Sequence, residues 1–425
     1  MQGFMNVINF IMDAGPAVFM PLIILILGLV FGQKPGKAIR AGVTVGIAFI
    51  GLNLVIGLLS DTVMNVVNRM VEIYGFKLTA IDVGWPIAAA IAWGSGVVVP
   101  FILIAVLLVN IAMLALGWTK TLDVDIWNYW QPLFLGGVVY MMTGSIWYAV
   151  LGACIAMAII FKVADMCQPY VEEFFGLKGI SIPHIESTGW ALIGIPLNRL
   201  IDRIPVIGKI DWSPKHLEQR LGIIGDPMVL GLVVGAAIAL IARADALTVL
   251  NTAIATSATM FLLPRMIGVL MEGLMPLSEA AGEFMKRRFG GRDVYIGLDA
   301  AAIVGAPSII ATALLLIPTI MVLAIILPGN ITLPLAELGG LVFFLPWAVV
   351  PSKGNIFRGW LIGTLFMIPI LYIASDYAPA MTQLGRQIGF EFPEGASMAT
   401  CLSIGSQWIT WVIYKIQMLI YSLFA

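Results

Sequence analysis

Stretches of about 20 apolar residues, long enough as helix to cross the roughly 30 Å hydrocarbon core of a bilayer, recur along this chain from end to end. They run from Pro16 to Phe31, Ala38 to Leu59, Val97 to Gly117, Thr143 to Val163, Met228 to Ala242, Leu247 to Leu270, Ile309 to Leu327, Trp360 to Ala374 and Thr400 to Phe424. Only 11% of residues are charged and 60% are hydrophobic, against about 25% charged in soluble domains. A polar shell cannot be drawn from so few charges, so the apolar surface must face lipid. A formal net charge of -1 excludes the basic footprint of a nucleic-acid binder. Met1 to Ala14 has no Lys or Arg and includes Asp13, which argues against a cleaved signal peptide and leaves targeting to the spans themselves. Cys154, Cys167 and Cys401 are far apart and odd in number. They read as packing residues, forming neither a disulfide framework nor a metal cluster.

Between the spans lie shorter apolar segments cut by Gly, Pro and Trp: Ile81 to Ser95, Ile126 to Met142, Ile296 to Pro307 and Leu333 to Val350. These predict broken or re-entrant helices, tolerated at membrane depth where protein or water satisfies the freed backbone. The series of two spans, a broken segment opening near an acid, a span, a second broken segment and a span runs from Pro16 to Val163. It runs again from Met228 to Ala374, pairing Asp82 with Asp299. Lys34, Lys37 and Arg40 follow the first span, while the second half gathers Arg265, Lys286, Arg287, Arg288 and Arg292 after its second span. The positive-inside rule then gives the two repeats opposite orientation. Inverted repeats with broken helices at matching places point to a transporter with its site near the midplane. The chain therefore divides into a first transmembrane repeat (1–163), a polar cytoplasmic-side connector with interfacial helices (164–225), a second, inverted repeat (226–376), and a loop with a final transmembrane helix (377–425).

Charges inside membrane segments are costly and functional by default, which selects Asp82, Asp125, His184, Glu186, Asp299 and Glu337. In Asp82-Val83-Gly84-Trp85-Pro86, Gly84 and Pro86 break the helix and Trp85 offers a flat face beside a carboxylate, a way to hold a polyol; helix capping by Asp82 is the plainer role. Asp123 to Gln131 crowds acids, amides and aromatics together. Asp125, Trp127 and Asn128 are candidate binders there, while Trp130 reads as part of an interfacial aromatic belt. His184 clusters with Glu186 and Ser187, whereas His216 lies in a charged, solvated stretch. Phosphate loops, metal-ligand spacings and a nucleophile elbow are absent, so no cofactor or metal is expected and an intramembrane enzyme is disfavoured.

The stretches Val83-Gly84-Trp85-Pro86, Asp123-Val124-Asp125-Ile126-Trp127-Asn128, Gly179-Ile180-Ser181-Ile182-Pro183-His184, Gly297-Leu298-Asp299, Leu327-Pro328-Gly329-Asn330 and Gly354-Asn355-Ile356-Phe357-Arg358 occur in one order over nearly the whole chain. As an ordered set, they closely resemble the galactitol-type IIC permeases of the bacterial phosphoenolpyruvate-dependent sugar phosphotransferase system. The resemblance implies the fold of the ascorbate-type IIC permeases: an all-α polytopic homodimer in the bacterial cytoplasmic membrane, with a scaffold domain and a moving core domain of inverted repeats. It implies substrate contacts just after Asp82, around Asp125, at His184 and at Asp299. It also implies phosphorylation by IIB and IIA partners on separate chains. The sequence departs from the family after Ala378, where it is short and lacks a basic C-terminal tail. A proton- or sodium-coupled carrier using Asp82 and Asp299 for the ion is the alternative the same residues permit.

Overall fold

The computed structural model describes residues 16–74, 78–221, 226–288, 293–390 and 397–424. The stretch from Met1 to Ala14, read for a signal peptide, and Arg292 lie outside them. The first half holds helices α1 (Pro16–Val30), α2 (Pro35–Tyr74), α3 (Trp85–Trp93), α4 (Val98–Ala115), α5 (Trp130–Thr143) and α6 (Ile146–Phe175). The connector contributes α7 (Ile185–Thr188), α8 (Ala191–Ile201) and α9 (Pro214–Leu221). The second half follows with α10 (Pro227–Ile241), α11 (Ala246–Arg288), α12 (Pro307–Ile326), α13 (Pro346–Val349), α14 (Ile356–Gln387), α15 (Leu402–Ser406) and α16 (Trp408–Phe424). Among the described residues, 6 helices have the length and apolarity to cross a bilayer: α2, α4, α6, α11, α12 and α14. Their outer faces repeat large apolar residues at helical spacing, as in Ile39, Val43, Ile47, Ile50 and Leu54 of α2, all exposed. Such stripes suit lipid and would be a liability in water. The chain is an all-α polytopic membrane protein.

Where the helices break, the described residues form six very short strands that the hydropathy pattern does not announce. They are β1 (Ala80–Asp82), β2 (Thr121–Asp123), β3 (Ile180–Ser181), β4 (Tyr295–Gly297), β5 (Thr332–Leu333) and β6 (Met398–Thr400). These pair in parallel as two three-stranded sheets, ordered β5-β1-β6 and β2-β4-β3. The cause is the shortage of water at membrane depth, where every freed N–H and C=O needs a protein partner. Each break therefore pairs with another: Ala80 N–H donates to Ile331 O at 2.9 Å, and Leu298 N–H donates to Ser181 O at 3.0 Å.

Two segments differ from the sequence expectation. Thr400 to Phe424 is not one span: the end of β6, the five-residue α15, a break at Gln407 and α16 follow one another. Ile126 to Met142 breaks only at its start, in a 3-10 turn over Ile126–Tyr129, and α5 then runs uninterrupted. Hydropathy could not separate these cases because both segments are predominantly apolar. Pro16 to Phe31 and Met228 to Ala242 form helices of only 15 residues, about 22 Å long at 1.5 Å per residue. Helix α15 packs so closely on α14 that a Cβ on Gly405 would sit 2.2 Å from the carbonyl oxygen of Ile370. Gly405→Ala is therefore expected to destabilise the protein by about 1–3 kcal/mol through overpacking, read as an earlier thermal melt in detergent. An unchanged melt would mean that α15 has room to retreat.

The connector docks on the start of α14. Arg358 pairs with Asp202 and donates from Nη2 to Gly208 O at 2.6 Å, and Asn355 Nδ2 donates to Ile210 O at 2.6 Å.

Candidate functional site

Every strand ends in a loop that carries a polar side chain, and the two sheets bring these loops together. Asp82, the last residue of β1, is buried with its carboxylate spent on backbone donors. Its Oδ1 accepts from Gly84 N–H at 3.0 Å, and its Oδ2 accepts from Leu335 N–H at 3.2 Å and Glu337 N–H at 3.0 Å. Gly84 has φ of 83°, a left-handed conformation that a side chain would strain. It lets the chain turn back onto Asp82 before Pro86 starts α3. After β2, Asp125 Oδ1 accepts from Trp127 N–H at 3.1 Å and caps the 3-10 turn, while its Oδ2 accepts from Asp299 N–H at 3.0 Å. Asn128, fully buried, donates from Nδ2 to Asp123 Oδ1 at 2.9 Å. These carboxylates act as staples between loops from distant parts of the chain.

After β3 and β4 the side chains turn to a cavity instead. Gln131 of α5 accepts from Ile185 N–H on its Oε1 at 2.8 Å, which aims its amide nitrogen at His184 Nε2, 2.7 Å away. Nε2 faces this donor on one side and the Asp299 carboxylate on the other, so the imidazole accepts from Gln131 when Nε2 is bare and donates to Asp299 when Nε2 carries a proton. The His184 Nδ1 is buried without a partner among the described residues. Asp299 Oδ2 lies 3.2 Å from the same Nε2, while its Oδ1 accepts from Ala301 N–H at 2.8 Å. After β5 and β6, Ser403 N–H donates to Glu337 Oε2 at 2.5 Å, and Ser403 Oγ lies 3.0 Å from Glu186 Oε1.

The cavity these loops enclose offers about 100 Å³ to the centres of water molecules, room for several waters or a small solute. Trp85, Trp127, Trp130, His184, Glu186 and Asp299 line one side, and Phe49, Leu52, Asn53 and Ile56 of α2 line the other. Trp85 and Trp127 meet edge to face, with centroids 6.3 Å apart at 87°. The floor is thus aromatic and the wall carries two carboxylates and an imidazole.

Of the residues selected from the sequence, Trp85, Trp127, His184, Glu186 and Asp299 reach the cavity. Asp82, Gly84, Asp125 and Asn128 do not line it; they shape and brace the loops that do. Trp130, read as part of an aromatic belt, is buried and lines the cavity; it stands one helical turn beyond Trp127, which was the available signal. Gln131 and Ser403 were not singled out. The first follows Trp130 directly, and the second lay inside a stretch read as a plain span.

The family model described as EIIC-GAT, PTS system sugar-specific permease component, matches residues 10–395. A putative permease IIC component of Escherichia coli K12 is 38% identical over 411 residues, covering 97% of this chain and 94% of that protein. The PTS system galactitol-specific EIIC components of Escherichia coli K12 and O157:H7 are each 34% identical over 413 residues, covering 97% of this chain and 91% of theirs. Together with the membrane-crossing helices, these matches make it a multi-pass protein of the bacterial inner membrane. A cavity walled by carboxylates and indoles inside such a helical body suits the work named by that match, and the chain belongs to the EIIC-GAT family of sugar-specific permease components of the PTS system.

Proposed function

We propose that this permease carries a galactitol-like polyol across the membrane by alternating access and presents it to a separate IIB protein, itself charged by IIA, for phosphorylation. Phosphoryl transfer then belongs to IIB, and this chain binds and moves the substrate. The observation that carries the reading is the cavity itself. Indole faces at Trp85, Trp127 and Trp130 suit the C–H edges of a polyol, and Asp299, Glu186 and His184 supply acceptors and a donor for its hydroxyls. The galactitol-specific relatives point to the same substrate class.

What supports inverted repeats is the exchange of strands between halves. Central strand β1 lies between β5 and β6 of the second half, and central strand β4 lies between β2 and β3 of the first. Ala80 faces Thr332 as Tyr295 faces Thr121, so Thr121-Leu122 and Thr332-Leu333 occupy equivalent positions. That register equates Asp299 with Gly84 rather than Asp82, and His184 with Ser403. Repeats at 1–163 and 226–376, joined by 164–225 and followed by 377–425, remain the proposed division. Helices α6 and α14 cross residues 163 and 376, so each repeat extends to its third strand. Helices α1, α2, α10 and α11 pack chiefly on one another, which suits the scaffold of a homodimer, with the sheet-bearing remainder as the moving core. The cavity lies at the seam between the two.

The site reading is tested by calorimetry of galactitol binding to the purified protein. Asp299→Asn is expected to remain folded and to lose roughly tenfold in affinity, because an amide accepts hydroxyl hydrogen bonds about half as strongly as a carboxylate. Affinity equal to wild type would remove Asp299 from the site.

A further inference from the structure

Ser403 sits between two buried carboxylates. Its Oγ lies 2.5 Å from Glu337 Oε1 and 3.0 Å from Glu186 Oε1, and both glutamates are almost wholly buried, at 4% exposure for Glu186 and 2% for Glu337. A serine hydroxyl has one proton to give, so it cannot satisfy two ionised carboxylates at once. One further proton balances the set, and the surroundings say where it resides. Glu337 faces Asp82 and Glu186, both acidic, with Cys401 nearby, and its principal partners among the described residues include no cationic group. Glu186 has His184 as well as Asp299 for neighbours. Like charges in a dry site repel strongly, and the 2.5 Å contact is of the length expected for a short O–H···O bond.

We propose that Glu337 is a proton-bearing carboxylic acid whose O–H donates to Ser403 Oγ, so that the serine hydroxyl donates in turn to Glu186. Glu337 and Ser403 are then positioning residues. The one-way chain holds Glu186 ionised, with Oε1 tied back to Ser403 and Oε2 left as an acceptor for a substrate hydroxyl at the cavity wall. By the register above, Ser403 stands where His184 stands in the other half, so each half places one polar side chain after its third strand against a carboxylate from the other half, His184 against Asp299 and Ser403 against Glu186. The inference rests on the cavity reading for its purpose but not for its protonation state.

Infrared spectroscopy of the purified, detergent-solubilised protein at neutral pH tests it, because a protonated carboxylic acid absorbs apart from carboxylates and amides. The expected spectrum has an acid carbonyl band that disappears in Glu337→Gln and persists in Glu186→Gln. An acid band unchanged in Glu337→Gln, or one lost in Glu186→Gln instead, overturns the assignment. If Glu337→Gln does not fold, Ser403→Ala serves: removing the acceptor should shift the acid band to higher frequency, and an unshifted band overturns the proposal. Galactitol calorimetry on Glu186→Gln separates the two levels. A loss of about tenfold in affinity supports the role given to Glu186, whereas unchanged affinity would sink the cavity reading without touching the infrared result.

Discussion

Asp82→Ala is expected to be the most damaging single substitution among the buried acids, lowering stability on the order of 4 kcal/mol, while Trp85→Ala three residues further on melts close to wild type. The cost has a definite source. Asp82 accepts from the backbone N–H groups of Gly84, Leu335 and Glu337, tying the loop after β1 to the loop after β5. Hydrogen bonds to a charged group contribute about 1.5–3 kcal/mol each, and alanine would leave buried donors without partners. Against a total stability of about 5–15 kcal/mol, that is a large fraction. Asp82→Asn should fall between, since an amide oxygen accepts two of the bonds weakly. Thermal melts in detergent, followed by size-exclusion chromatography, read the effect. An Asp82→Ala protein that melts like wild type but fails to bind galactitol would return Asp82 to the list of substrate ligands.

The bonding of Asp82 separates what the sequence could convey from what it could not. Asp82 was legible as a buried intramembrane acid because Gly84 and Pro86 break the helix beside it. Its role was not, because the donors that occupy it come from Leu335 and Glu337, in a segment that hydropathy alone cannot place beside β1. Asp125 has the same history, since its second oxygen is taken by Asp299 N–H. Trp127 and Trp130 look alike in sequence, and an aromatic belt uses the same residue type as a sugar-binding wall; only packing shows that both line the cavity. Ser403 was hidden inside an apolar run that hydropathy reads as one span. The strand β6 and the break at Gln407 arise there because neighbouring broken segments need backbone partners, a non-local demand. The long helices were legible throughout, although α6 and α14 continue past their apolar stretches through polar residues such as Asp165 and Glu172 in the first and Arg386 and Gln387 in the second.

The largest functional effect is expected in energy coupling. A permease that delivers its solute to a phosphorylating partner needs no ion site, because the phosphate traps the product. Its buried acids can then hold fixed protonation states while serving hydroxyls and loops. In this chain Asp82 and Asp125 are saturated by backbone donors, which leaves them poorly placed to take up and release an ion in each cycle. Vesicles containing the purified protein, loaded with buffer and given radiolabelled galactitol, measure this directly. Alone, the protein should support only slow downhill exchange, indifferent to an imposed proton or sodium gradient. With IIB, IIA, the general phosphotransferase proteins and phosphoenolpyruvate on the cytoplasmic face, the label should accumulate there as galactitol phosphate. Accumulation of unmodified galactitol by the chain alone, driven by a proton or sodium gradient, would contradict that coupling and make the protein a secondary carrier.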